Sequence, residues 1–580
     1  MTSYHPSTID IAPFSPTDFQ DVQDDTLLPH QSASSAASSS RQGAGVVPYG
    51  AVSSLSSSFI SKFGSLASRT SADKNTHHNA TDILGGLDVS VDAIKRPSSE
   101  NHLHDEDDSM PFRSHNTNLH PGVNTNSSDT LTAINTPLVA AQGDFVDAAA
   151  RLHIDDRASI RSGFQRKNGN DGPNTEQWVS RRKHFFVLSS AGKPIYTRYG
   201  DESKLSSYMG VIQAILSFFA SDDDTLRCIN AGSHKFVFAS RGPLYLVAIS
   251  ATGESENQLR EQLQYLYNQI LFILTAAQLT RIFEQRVNYD LRNLLAGTEN
   301  LLDELCNSFS KTASHYLSAI NPLRMSHRLR NRIGVIMSNG IPKSLAFGLI
   351  IAKERLVTLV RPKAHSLHPS DLLLLINLLS ASPGMKSAES WTPICLPRFN
   401  ARNHMHVYVC YVARDVAMVL VGPERDAFYD FSEYKAKAVK DMGDQGCFEG
   451  LEEAVKMDPY SLNEVGVPII RHFIFKSRAL VQYTQPAPSP PYTNKQDWKR
   501  LLLLYQHAHS KLYKRPHASK VVFNVGAAES VLAVATSTHE LYISFGPLIT
   551  KTAAVAAANG LQKWVQRWEQ GLFLTKAPSF

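Results

Sequence analysis

Two histidine pairs, His404-x-His406 and His507-x-His509, are the first residues of this chain whose type suggests chemistry, since imidazoles at close spacing can share a metal ion. A helix brings side chains together at steps of three or four, so a step of two does not suit joint ligation there. In a strand or loop neither pair has a third ligand nearby, and both read as core or surface histidines. Glu452-Glu453 and Asp222-Asp223-Asp224 sit at loop or helix starts, where dipole complementation or solvation explains them better than paired general acid and base. The five cysteines, at 228, 306, 395, 410 and 447, contain no Cys-x-x-Cys spacing, so neither a zinc ribbon nor a disulfide framework follows. No GxxxxGK[ST] phosphate loop, GxSxG elbow or HExxH helix occurs. The expectation is a protein that acts by binding, with no covalent chemistry, metal or cofactor of its own.

Charge narrows the partners. The 58 basic and 53 acidic residues leave a net charge of +5 over 580 residues, too small a surplus to call for nucleic acid. Basic residues cluster at Arg181-Arg182-Lys183, at HRLRNR (327–332) and at KLYKRPHASK (511–520). Such runs are usually solvated faces. Their other reading is contact with anionic headgroups, with Arg328, Arg330, Arg332, Lys511, Lys514 and Arg515 as the lipid-contact candidates. The N-terminus lacks a basic-then-apolar signal, and the longest apolar runs fall short of the roughly 20 residues that cross a bilayer. The expectation is therefore a cytosolic chain with peripheral membrane contact.

The elements that would carry these residues begin late. Residues 1–175 are rich in Ser, Asn, Asp, His and Gly, and a stretch such as SASSAASSSRQGAG cannot bury enough apolar area to offset its ordering entropy. They read as a disordered regulatory tail with two apolar islands, at 59–66 and 145–154. The first folded unit, 176–290, opens with a hairpin, HFFVLS and PIYTRYG, turning through Ala191-Gly192-Lys193-Pro194. Leu205, Tyr208, Met209, Ile212, Ile215, Leu216 and Phe219 then recur at helical steps. Three further strands, at 225–229, 235–239 and 244–249, precede a long helix from about residue 254. Residues 291–335 read as a helical linker, ended near Asn321-Pro322. The same β-β-α-β-β-β-α grammar returns in 336–445 and, after a short linker at 446–465, in 466–580. Two helices, 372–379 and 498–505, are apolar nearly all round. A second packing surface, against another unit or a partner, is expected for them, with burial inside their own unit as the other reading.

That grammar is the order of the longin fold: α+β, three roadblock-like domains, each a five-stranded, largely antiparallel sheet with flanking helices. The opening KHFFVLSSAGKPIYTRYGDESKLSSYMGVIQAILSFF resembles the first longin domain of the Mon-one family of vacuolar fusion proteins. KFVFASRGPLYLVAIS, GLIIAKERLVTLVRPKAHSLHPSDLLLLINLL and RHFIFKSRALVQYTQP are similar to later parts of that family. The resemblance implies a tri-longin subunit of a heterodimeric guanine-nucleotide exchange factor, paired with a Ccz-one-type longin subunit. It implies as substrate the Rab GTPase of late endosomes and vacuoles, recruitment by the early-endosomal Rab, and binding to phosphoinositide membranes. A longin scaffold or coat subunit that opens no GTPase is the alternative. Helix phase then sets Leu205, Met209, Ile212 and Leu216 on the sheet and Ser206, Tyr208 and Gln213 toward the GTPase or partner, with Tyr208 close enough to the stripe to be core.

Overall fold

The computed structural model describes residues 175–221, 224–514 and 518–580. The expected N-terminal tail, and with it both apolar islands, lies outside the described residues, as do Asp222, Asp223 and Arg515. Three five-stranded sheets, all antiparallel, share one strand order. In the first unit β1 (Lys183–Ser189) and β2 (Pro194–Thr197) form the hairpin, and α1 (Ser206–Ser221) follows. Then come β3 (Cys228–Ala231), β4 (His234–Arg241), β5 (Leu244–Ser250), α2 (Glu256–Ile273) and α3 (Ala276–Gln285). The sheet order is β2-β1-β5-β4-β3. After α4 (Glu299–Ser308) and α5 (His327–Met337), the second unit has β6 (Phe347–Ala352), β7 (Arg355–Val360) and α6 (Pro369–Ala381). It continues through β8 (Ser390–Leu396), β9 (Ala401–Ala413), β10 (Val416–Gly422), α7 (Phe428–Asp444) and α8 (Cys447–Met457). The third has β11 (Ile470–Ser477), β12 (Gln482–Thr484), α9 (Lys495–Leu512), β13 (Val521–Val525), β14 (Ser530–Ala535), β15 (His539–Phe545) and α10 (Lys551–Leu572).

Alternation along β1 explains the layering. Phe185 and Val187 point to one face and pack with α2, while Phe186 and Leu188 point to the other and pack with α1. Both faces are apolar, so each sheet needs a helix on either side. Sheets one and two meet that need jointly. Leu259, Leu263, Leu266 and Ile270 of α2, Leu302 and Leu305 of α4, and Leu374, Leu375 and Leu378 of α6 form one cluster with strands of both sheets. Buried Asn377 of α6 donates to Gln269 Oε1 of α2 and to Leu301 O of α4, both at 2.9 Å, so the Asn377 amide is bound across units. The near-uniform apolar character of 372–379 is thus the signature of a helix between two sheets. The Leu-rich segment of α9 instead meets sheet three on one side and Ala313, Tyr316 and Leu317 on the other.

The stretch 291–335 does more than connect. Ile320 N donates to Val481 O (3.1 Å) and Tyr483 N to Ile320 O (2.8 Å), which extends sheet three past β12. Leu323 N then donates to Leu356 O (2.9 Å) on β7. The chain end closes the rest of that edge: Arg361 N donates to Pro578 O (3.2 Å) and Phe580 N to Arg361 O (3.1 Å). Helix α5, read from sequence as a basic run, packs Ile333, Ile336 and Met337 onto the outer face of sheet two.

Truncation inside the shared layer should therefore weaken two units together. Leu374→Ala is expected to cost about 2–5 kcal/mol and to leave a single unfolding transition for units one and two in urea. Separate transitions, only one of them shifted, would contradict a common core. Stability should also fall in acid. Burial holds His184, His315 and His472 down at about 3 and His509 and His539 at about 4, below their ordinary 6.5. These rings are neutral in the fold and take up protons on unfolding below 6.5, so each removes about 1.4 kcal/mol per pH unit as pH drops through that window. Burial raises Asp371 to about 6 and Glu261 to about 7; these act in the opposite sense and offset part of the loss. The urea midpoint should decline between pH 6.5 and 4, and a flat or rising midpoint would refute the balance.

Candidate functional site

Helix α1 is the one long helix of unit one that the shared layer leaves outside. Its sixteen residues, SSYMGVIQAILSFFAS, carry no charge. Met209 and Ile212 are fully buried and Ile215 nearly so, packing with Leu205 on Phe186, Leu188, Phe236 and Val247. The opposite side exposes Ser206, Ser207, Gly210, Ala214 and Phe218. Gly210 faces open space, with nothing within 4 Å of where a Cβ would stand. A solvent-facing glycine in a helix costs about 1 kcal/mol relative to alanine and improves no contact inside this chain. Together these residues make a ridge that another backbone could approach closely without stripping water from a charge.

Of the sequence-named contacts, Ser206 lies on that ridge, its hydroxyl donating to Ser203 O at 2.9 Å. Tyr208 is half-buried at the ridge border, 6.2 Å from the Trp178 ring, and burial raises its phenol above the ordinary value. Gln213 is half-buried on the other border. Its Nε2 donates to Ser217 Oγ (3.1 Å), and its Cβ and Cγ would stand 3.3 Å from a Cβ on Gly192, whose φ of +79° makes the hairpin turn. The centre of the ridge, Gly210 and Ala214, was not singled out from sequence, because small residues at a four-residue step carry no signal until their exposure is known.

The lipid-contact candidates separate. Arg328 and Arg332 are exposed on α5, Arg332 donating to Gln445 O at 2.9 Å. Arg330 is a correction: its guanidinium is buried and donates to Leu323 O (2.7 Å), Gly571 O (3.1 Å) and Val357 O (3.3 Å), and burial lowers it to about 10. It ties α5, β7 and the end of α10 and cannot reach a membrane. Lys511 is half-buried near the end of α9 and Lys514 lies exposed just beyond it. The two basic runs sit on different layers, α5 outside sheet two and α9 on sheet three beside unit one, so they do not merge into one patch.

Three of the four paired histidines have neighbours within the fold, and His507 is exposed on α9. His404 Nε2 meets Gln278 Oε1 at 3.2 Å, His406 stacks on Trp391 at 5.4 Å, and His509 packs against Tyr513 at 4.7 Å. Among the described residues no group of three or more His, Cys, Asp and Glu side chains is placed to hold a metal ion. Nor is any described helix long and apolar enough to cross a membrane.

Three family models match in succession: the first longin domain of FUZ, MON1 and HPS1 over residues 183–305, the second over 343–440 and the third over 469–569. The chain is 39% identical over 408 residues to the vacuolar fusion protein MON1 homolog A of Homo sapiens, covering 70% of this chain and 63% of that protein. It is 40% identical over 401 residues to the Gallus gallus homolog A, covering 69% and 73%. To vacuolar fusion protein MON1 of Yarrowia lipolytica it is 37% identical over 412 residues, covering 70% and 76%. The chain belongs to the MON1 family. In this MON1-family chain the match to the first longin domain includes all of α1, so the uncharged ridge is part of a longin domain and not an appendage to it.

Because Gly210 touches nothing, Gly210→Ala should stabilise the isolated MON1-family chain by up to about 1 kcal/mol, read as a raised melting temperature. A lowered one would mean that the ridge is already covered within the chain.

Proposed function

We propose that this chain is one subunit of a heterodimeric guanine-nucleotide exchange factor for the late-endosomal and vacuolar Rab GTPase. Its partner is a Ccz-one-type longin subunit, and α1 with its exposed ridge belongs to the platform on which partner and GTPase assemble. The observation that carries this reading is the sixteen-residue α1, apolar inside and uncharged outside. Family membership and the relatives' printed name, vacuolar fusion protein, support the setting. In that setting the complex works at late-endosomal, multivesicular and vacuolar membranes, in endosome maturation, vacuole fusion and autophagosome–vacuole fusion. The early-endosomal Rab and phosphoinositides recruit it there.

The activity needs no bond made or broken by the chain. Exchange follows if the heterodimer binds the nucleotide-free GTPase more tightly than the nucleotide-bound one, because linkage then weakens GDP by the same factor. A rigid platform suits that task, since the cost of holding the GTPase's switch regions open must come from contact energy and not from ordering the platform itself.

Release of fluorescent GDP from the Rab, measured with purified heterodimer, tests the reading. The expected result is acceleration of about tenfold or more over the spontaneous rate. Ala214→Glu, which places a charge in the middle of the ridge, should remove most of that acceleration while leaving the fold intact, and substitutions at Ser206 and Gln213 should lower it. A heterodimer that binds the GTPase yet leaves GDP in place would instead mark a scaffold.

A further inference from the structure

A cleft of about 660 Å³ lies between the first and third units, a volume typical of small-molecule sites and in a place, between domains, where such sites concentrate. One wall is the first half of α2, with Arg241 from the end of β4. The other is the β11–β12 turn with Lys476 and the end of α9, and residues 316–318 form the floor. Tyr316 is 7% exposed, yet its hydroxyl has no hydrogen-bond partner among the described residues. Buried polar groups are bonded as a rule, so a buried hydroxyl left open at the floor of a cleft calls for a ligand group. The lining beside it is aromatic: Tyr316 meets His509 edge-on at 5.6 Å, and His509 meets Tyr513 at 4.7 Å. Burial holds the His509 ring at about 4, so it is neutral and packs as an aromatic.

The two walls also hold opposite charges that do not meet. Glu261, on the α2 wall, is open to the cleft and has neither an ion pair nor a hydrogen bond among the described residues. The cations of its own wall are engaged elsewhere: Arg260 pairs with Glu256, and Arg241 donates to Gln264 Oε1 (2.8 Å) and to Ser240 O (2.9 Å). Lys476, across the cleft, pulls on Glu261 without reaching ion-pair distance, and the surrounding protein still raises that carboxyl to about 7. The Lys476 ammonium has three donors and gives one of them to buried Glu540 at 2.9 Å. Glu540 also takes Arg478 at 3.5 Å, so two cations share one carboxylate and that wall keeps a positive excess.

We propose that this cleft binds an aromatic α-amino acid as its zwitterion. The ligand's ammonium meets Glu261 on one wall, and its carboxylate takes the free donors of Lys476 and the Tyr316 hydroxyl on the other side. Its ring packs against His509 and Tyr513. Both charged ends are needed. A plain anion leaves Glu261 without a cation, and a plain amine leaves Lys476 and Tyr316 without an acceptor. A molecule with the two charges a few bonds apart spans the gap that Glu261 and Lys476 do not close themselves. Nothing in this inference requires the exchange activity.

Calorimetric titration of the full chain with L-phenylalanine tests the site, with two truncated analogues alongside: phenylacetate, which lacks the ammonium, and phenethylamine, which lacks the carboxylate. Saturable one-to-one binding of phenylalanine is expected, with both analogues weaker by about tenfold or more. Glu261→Gln and Tyr316→Phe each remove a group that bonds nothing in the chain, so both variants should melt with the parent. Each should lower phenylalanine affinity about tenfold, while Arg332→Gln, on the far layer, should bind as the parent does. Absence of phenylalanine binding by the parent, phenylacetate binding as tightly as phenylalanine, parent-like binding by both cleft variants, or an equal loss in Arg332→Gln would overturn the proposal.

Discussion

Each sheet of this chain has two apolar faces, and the need to cover both is the constraint from which the rest follows. A five-stranded antiparallel sheet with Phe185 and Val187 on one side and Phe186 and Leu188 on the other cannot leave either side to water. The helix between the second and third strands covers one face, and the helix after the fifth covers the other. Units one and two go further by placing α2, α4 and α6 in a single layer between their sheets. Unit three is fastened through the backbone of 320–323, through Gln258 of α2 donating to Gln506 O at 2.6 Å, and through the chain end along β7.

Function is then a matter of what this arrangement leaves uncovered. The shared layer absorbs α2 and α6, whereas α1 keeps an outward side, and that side lacks charge. Where the units meet less closely, between α2 and the β11–β12 turn, a cleft remains with charges that the chain does not fully neutralise. Both features come from packing three similar units unequally. A tandem of identical, independent domains would have neither.

Much of this was legible as periodicity. The opening hairpin of unit one, the stripe of α1 and the helices at 372–379 and 498–505 follow from alternation and helical steps. The apolar run 372–379 announced a helix covered on both sides, but not which neighbour covered it. What escaped did so for physical reasons. The third strand sits at Cys228–Ala231 and not at 225–229, because pairing of Cys228 with Val237 sets its register. α8 was hidden by Gly446, Gly450 and a dense set of charges. α5 looked like a basic surface because Arg328 and Arg332 are one, whereas Arg330 between them finds three carbonyls that no local pattern reveals. The ridge and the cleft are made by long-range packing, so their chemistry appears only once the units are together.

The central claim is that α6 is already covered inside the chain while α1 is open for a partner. Hydrogen–deuterium exchange of the full chain, alone and with its longin partner, addresses it directly. The account predicts that peptides of α6 are strongly protected in both states and that peptides of α1 gain protection only in the complex. Protection appearing in α6 on complex formation, with α1 unchanged, would contradict it.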